Sequence, residues 1–303
     1  MSDPARWLEV GDGVLVRRYA ELDLSIGLVL GSTGCLVIDT RGDEIQGAEL
    51  AAAVRQVTAL PWVIVVTHAH FDHCFGTAAL QPSPVWAHAY CVRALTADSG
   101  ERHRHDWVLR YRERGRPEVA DALESARLVL PEPLDGDRVE LSVGGRPLVL
   151  THLGRGHTDH DLLVQVPDSD VLFTGDLVEN GAPPAIGDDA FPLEWPDTLT
   201  AALDLLGDGT AVPGHGDPVN REFVAGQRDE LAALAALCEQ VRDGELDPTE
   251  AVRKSPYPPD TTRDALACLG LALPGPEPLA EPGPEPLAEP GRSQPELDQT
   301  ASD

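Results

Sequence analysis

The segment Thr67-His68-Ala69-His70-Phe71-Asp72-His73 decides the reading of this chain. Four side chains able to bind a metal (His68, His70, Asp72 and His73) fall within six residues, a density that packing alone does not explain. They follow Trp62–Val66, an apolar run that reads as a buried strand. The loop therefore leaves a rigid base, as a site that must hold ligands in place requires. His68 and His70 are two residues apart and point the same way in an extended segment. Asp72 and His73 come where the chain turns and can face a second centre.

Three shorter pieces lie downstream. Gly156-His157-Thr158 follows the apolar run Leu148–His152, and Thr174-Gly175-Asp176 closes Val171–Thr174. Pro213-Gly214-His215-Gly216 follows the apolar pair Ala211–Val212. Glycine beside each ligand type lets the backbone turn sharply and approach an ion closely. Each piece alone is an ordinary polar turn. Their order after the first run is what makes them specific.

In that order, HxHxDH, GHT, GD and GHG resemble the metallo-β-lactamase superfamily, and the resemblance runs from Gly13 to Arg242. It implies an α/β (α+β) fold: a four-layer αββα sandwich of two mixed sheets flanked by helices, with the metals in a cleft at one edge of the sheets. It further implies that His68, His70 and His157 bind one metal and that Asp72, His73 and His215 bind another, with Asp176 bridging them. Asp39 matches a position that usually supports the metal loop, and Thr67 is a weaker candidate for such a role. Two zinc ions per chain are expected, although imidazole and carboxylate ligands also suit iron or manganese.

The chemistry is coherent without the resemblance. Two divalent ions bring four positive charges, of which Asp72, Asp176 and a bridging hydroxide offset three. The remainder polarises a carbonyl or phosphoryl oxygen and keeps water deprotonated near neutral pH. Asp72 and Asp176 are therefore the expected catalytic carboxylates, and no side-chain nucleophile is required. The ligand set resembles that of glyoxalase II-type thioesterases and lactonases, which implies a hydrolase acting on an ester, thioester or lactone. A second reading is a persulfide dioxygenase-like oxidoreductase with one iron. A β-lactamase ranks below both: family members with a cysteine ligand carry it where this chain has Asp176.

Outside the motifs, strands are expected at Gly13–Tyr19, Leu24–Leu30, Cys35–Asp39, Trp62–Thr67, Val85–His88, Leu148–His152, Leu162–Val166 and Val171–Thr174. Apolar residues recur at helical spacing over Glu44–Val57, Trp195–Leu206 and Arg221–Arg242. Residues 95–130 interrupt this pattern with helical, charge-dense sequence in which six arginines, Arg102 to Arg116, accompany Trp107 and Tyr111. Either the aromatics pack on the body and the arginines face water, or the segment is a cationic lid. The loop Asn180–Trp195, with Phe191 and Trp195, is expected either to shape a substrate pocket or to pack the following helix.

The 303 residues carry a net charge of −28, which disfavours phosphate-backbone partners and leaves a small molecule as the expected substrate. No apolar run has the length a bilayer span requires, so no membrane partner is expected. The five cysteines are scattered with no CxxC pair, and Met1–Val10 contains no apolar stretch of the signal-peptide kind. A cytoplasmic setting is expected. Residues 1–273 read as the catalytic domain, whereas 274–303 repeat PGPEPLAE and read as a disordered Pro/Glu-rich tail. Truncation after Leu273 is accordingly expected to leave the thermal unfolding midpoint and metal content unchanged, as differential scanning calorimetry and elemental analysis would register.

Overall fold

Aliphatic runs bounded by glycine, proline and aspartate form two mixed β-sheets. A computed structural model describes residues 6–271; the proline-rich segment 274–303 lies outside them. The first sheet runs in chain order through β1 (Arg6–Gly11), β2 (Val14–Arg18), β3 (Ser25–Leu30), β4 (Cys35–Ile38), β5 (Trp62–Val65), β6 (Val85–Ala87) and β7 (Glu132–Pro133). The second contains β8 (Arg138–Val143), β9 (Arg146–Thr151), β10 (Leu163–Val166), β11 (Val171–Glu179) and β12 (Thr210–His215), in the order β12-β11-β10-β9-β8. Pairing in the first sheet is antiparallel as far as β4 and parallel beyond it. In the second, only β11 and β12 are parallel.

Helices cover the outer faces. Those on the first sheet are α1 (Glu44–Val57), α2 (Phe71–Cys74), α3 (Ala89–Thr96), α4 (Asp98–Glu113) and α5 (Pro117–Ser125). Those on the second are α6 (Trp195–Leu206), α7 (Arg221–Arg242), α8 (Pro248–Lys254) and α9 (Pro259–Cys268). Their starts are specified locally: Asp43 accepts from the backbone N–H groups of Ile45 and Gln46, and Asn220 accepts from that of Phe223.

Three apolar layers follow from the two-residue period of strands whose faces are both buried. Leu28 and Val37 face the helices over the first sheet, while Val29, Leu36 and Ile38 face the second sheet. Leu163 and Leu172 meet α6 and α7, while Val164 and Phe173 point inward. The result is the four-layer αββα arrangement. Phe173 occupies the inter-sheet layer directly against Gly27, where an added Cβ would lie 2.6 Å from its ring.

Four strands were not among those expected: β1, β7, β8 and β12, the last marked in sequence only by the apolar pair Ala211–Val212. The side chains of β1 and β8 are largely exposed or half-buried, as befits edge strands, and β7 is two exposed residues. An edge strand that buries little carries no apolar run. The helical insertion is α4 and α5, and its aromatics turn inward: Trp107 packs on Phe71 at 4.9 Å between ring centroids, and Tyr111 packs edge-on at 6.1 Å. The arginines stitch the insertion to itself and to the body. Arg112 pairs with Asp121 and Glu124, Arg116 with Glu21, and Arg110 and Arg114 lie over the Trp107 ring. Among the described residues no helix is long and apolar enough to cross a membrane.

Phe173→Ala is expected to cost about 3–5 kcal/mol, because the glycine opposite cannot fill the cavity. Leu109→Ala, at a residue 43% exposed, should cost under about 0.5 kcal/mol. Equilibrium urea denaturation of the two variants checks the contrast.

Candidate metal centre

The site begins where β4 and β5 end side by side. Asp39 follows β4 with a left-handed backbone (φ 67°), a conformation that aspartate tolerates better than most residues. This turns its buried carboxylate toward the loop after β5. There it accepts from the Thr67 N–H at 2.8 Å, the Thr67 hydroxyl at 2.8 Å and the His73 Nδ1–H at 2.8 Å. The same threonine oxygen accepts from the His68 Nδ1–H at 3.0 Å. Both residues expected to support the metal loop thus touch candidate ligands, Asp39 holding His73 and Thr67 holding His68.

The other imidazoles are tied in the same manner. His157 donates Nδ1–H to the Ala185 carbonyl at 3.0 Å, and His215 donates Nδ1–H to that of Leu22 at 2.7 Å. His70, the residue before α2, is reversed: its Nε2–H donates to Asp189 Oδ2 at 3.2 Å. Each outer nitrogen faces an acceptor and so carries the proton. The inner nitrogen of each ring is thereby the one left to bind an ion.

Those inner nitrogens converge. His157 Nε2 lies 2.9 Å from His70 Nδ1, and His73 Nε2 lies 3.4 Å from His215 Nε2. Two imidazole nitrogens at such separations need a proton or a metal ion between them. Asp176 sits among them, Oδ2 3.6 Å from both His68 Nε2 and His157 Nε2 and 3.2 Å from His215 Nε2, with Oδ1 3.3 Å from His73 Nε2. Asp72 Oδ2 is 3.4 Å from His215 Nε2. His68 Nε2 and Asp176 Oδ1 are buried with no hydrogen-bond partner, a costly condition that a bound ion relieves. Ligands around a tetrahedral zinc with bonds of about 2.0–2.1 Å stand roughly 3.3 Å apart, close to these spacings. Two groups could hold ions: His68, His70, His157 and Asp176, and Asp72, His73 and His215.

The electrostatics agree with a cationic occupant. Burial, with His70 alongside, pushes the His157 imidazole down to about 4. Burial would lower His215 too, but Asp176 and Asp72 push it up to about 10. Asp176 resists burial and is held well below the carboxylate range by His215 and His73. The carboxylates thus attract positive charge strongly enough to overcome desolvation.

All seven expected ligand residues meet here, and none of His88, His103, His105, His152 and His160 enters either group. Asp176 lies within β11 rather than closing a strand, because that strand continues to Glu179 through irregular pairing on either side of Gly175. Gly214 is required, since any Cβ there would collide with Asp176 Oδ1. Three supports lie outside the expected ligand set. Asp189 holds His70, and His103 stacks on His70 at 4.4 Å with rings 7° from parallel. His160 accepts the Ala69 N–H at 3.1 Å and donates Nδ1–H to Asp159 at 2.6 Å, fixing the peptide between two ligands. The only available signal was their proximity in sequence to the motifs or the insertion. Of the loop aromatics, Trp195 is core, donating Nε1–H to Leu177 O, whereas Phe191 lines a cavity beside His70.

The metallo-β-lactamase superfamily model matches residues 22–215. The chain belongs to this superfamily. Among curated relatives, the type 2 metallo-β-lactamase of Bacillus cereus is 27% identical over 216 residues, covering 68% of this chain and 73% of its own. Among solved structures, a metallo-β-lactamase from Pontibacter korlensis superposes with a TM-score of 0.58 at 19% identity, over 75% of this chain and 98% of that one. A sec-alkyl sulfatase superposes at 0.67 and 19% identity, over 83% of this chain but 45% of that one. At such identities the superpositions show that the superfamily fold is shared, and nothing about substrate.

Asp39→Ala is expected to weaken zinc binding about 10–100-fold by freeing the His73 ring. Thr67→Ser, which keeps the hydroxyl, should leave it unchanged. Competition with a chromophoric chelator measures both.

Proposed function

We propose that the chain is a binuclear metal-dependent hydrolase of small esters, thioesters or lactones. The observation that carries this reading is the convergence of seven ligand-type side chains, five of them imidazoles whose outer N–H groups are already engaged. His68, His70 and His157 would hold one ion, Asp72, His73 and His215 a second, and Asp176, within 3.6 Å of ligand atoms of both groups, would serve the two together. Bound divalent ions supply Lewis acidity toward a carbonyl oxygen and a water deprotonated near neutral pH; zinc is the first expectation.

The chain's own residues do the rest. Asp72 and Asp176 offset part of the ionic charge and leave a net positive centre for the carbonyl oxygen. Asp39, Thr67, Asp189 and the carbonyls of Leu22 and Ala185 hold the imidazoles in orientation, which raises their strength as ligands. The second group is complete, with Asp72, His73 and His215 all in place. That supports a place for a second ion. Neither group contains a cysteine, which supports an esterase-type ligand set over that of a β-lactamase. Cysteines that are all free fit a reducing, cytoplasmic compartment.

Elemental analysis of protein purified without added metal is expected to give two ions per chain, with hydrolysis of at least one thioester, lactone or ester. Asp176→Ala should lose one ion and lower turnover by orders of magnitude. Full activity with a single iron, accompanied by oxygen consumption, would replace the hydrolase reading with the dioxygenase one.

A further inference from the structure

A cavity of about 280 Å³ adjoins the candidate centre and is not explained by the metal ligands. His70 and His103, stacked ring on ring, form part of its wall, so it opens beside the first ligand group. Its other walls come from the insertion side, through Tyr90, Ala94 and Ala97, and from the loop after β11, through Phe191. Most of this surface is hydrocarbon. Its size lies just below the range of pockets that enclose a whole drug-sized ligand, so it suits one compact arm of a substrate.

Its fixed charges set the sign of that arm. Asp159 and Asp189 both line the cavity. One guanidinium, Arg93, faces them; it lies over the Tyr90 ring at 3.9 Å and within 3.9 Å of Asp159, with its side chain 67% exposed. None of the six arginines from Arg102 to Arg116 lines the cavity. Two carboxylates against one exposed, already paired cation make poor surroundings for an anionic tail, and the small side chains of Ala94 and Ala97 leave the room that a carbon chain would fill.

We propose that this cavity is the acyl-chain subsite: it takes a short, uncharged alkyl group of the substrate, and Ala94 sets its length limit. The inference rests on the hydrolase reading for the word substrate, but its test does not depend on turnover. Isothermal titration of the zinc-loaded protein with acetate, hexanoate and adipate compares one metal-seeking carboxylate carrying no chain, a neutral chain or a chain ending in a second charge. Hexanoate is expected to bind at least about tenfold tighter than acetate, and adipate at least about tenfold weaker than hexanoate. Ala94→Leu, a change that keeps helix propensity, should remove the advantage of hexanoate and leave acetate unaffected. Arg93→Ala should leave hexanoate binding unchanged.

Equal binding of acetate and hexanoate, or indifference to Ala94→Leu, overturns the proposal. Tight adipate binding that is lost in Arg93→Ala also overturns it and makes the cavity an anion subsite. If the expected binding pattern holds while acetyl and hexanoyl esters, thioesters and lactones all resist hydrolysis, the subsite stands and the hydrolase reading falls.

Discussion

The Asp39 carboxylate is the anchor from which the candidate centre is built. A buried carboxylate is costly unless its lone pairs are used, and here three donors use them: a backbone N–H, a hydroxyl and an imidazole N–H. Each donor belongs to the Thr67–His73 segment. One side chain at the end of β4 thus fixes the start of the ligand loop, the ring of His73 and, through the Thr67 hydroxyl, the ring of His68. The left-handed backbone of Asp39 is the local cost of pointing the carboxylate at all three.

The same solution recurs around the site with different acceptors. Backbone carbonyls of Leu22 and Ala185 hold His215 and His157, and the Asp189 carboxylate holds His70. An imidazole whose outer N–H is engaged can neither rotate freely nor present the wrong nitrogen. His70 is the one ring that is reversed, offering Nδ1 inward, and its outer partner, Asp189, itself lines the cavity. Ligand orientation and pocket shape are therefore coupled at this residue, with the stacked ring of His103 on its other side.

How much of this was legible depended on whether the information was local. His68, His70, Asp72 and His73 are written within six residues, and His157, Asp176 and His215 each carry an adjacent glycine, so the candidate ligands could be picked out by their order, while the layered sandwich came with the family resemblance that this order carries. Asp189 could not: it meets His70 across 119 residues, on a loop with no periodic pattern. His160 meets Ala69 across 91 residues; its nearness to His157 places it by the pocket, but nothing local tells that it holds the Ala69 peptide. The edge strands β1 and β8 escaped because a strand that buries little lacks an aliphatic run. The arginines of the insertion drew attention by their number, yet what decides their role is the inward packing of Trp107 and Tyr111 on Phe71, a contact that charge counting does not reveal.

The seven converging side chains are divided between the two sheets: His68, His70, Asp72 and His73 leave the end of β5, while His157, Asp176 and His215 come from the second sheet and its loops. Any ion they share is then a clasp across the sandwich as well as a reagent. The half-centre on the first sheet can form early from near neighbours in the chain, whereas the complete centre must wait until segments some 147 residues apart, His68 and His215, have met. Long-range closure of this sort is slow. An ion captured by the early half would favour docking of the late one, so that metal supply would govern the rate at which the chain matures and its resistance to being pulled apart again.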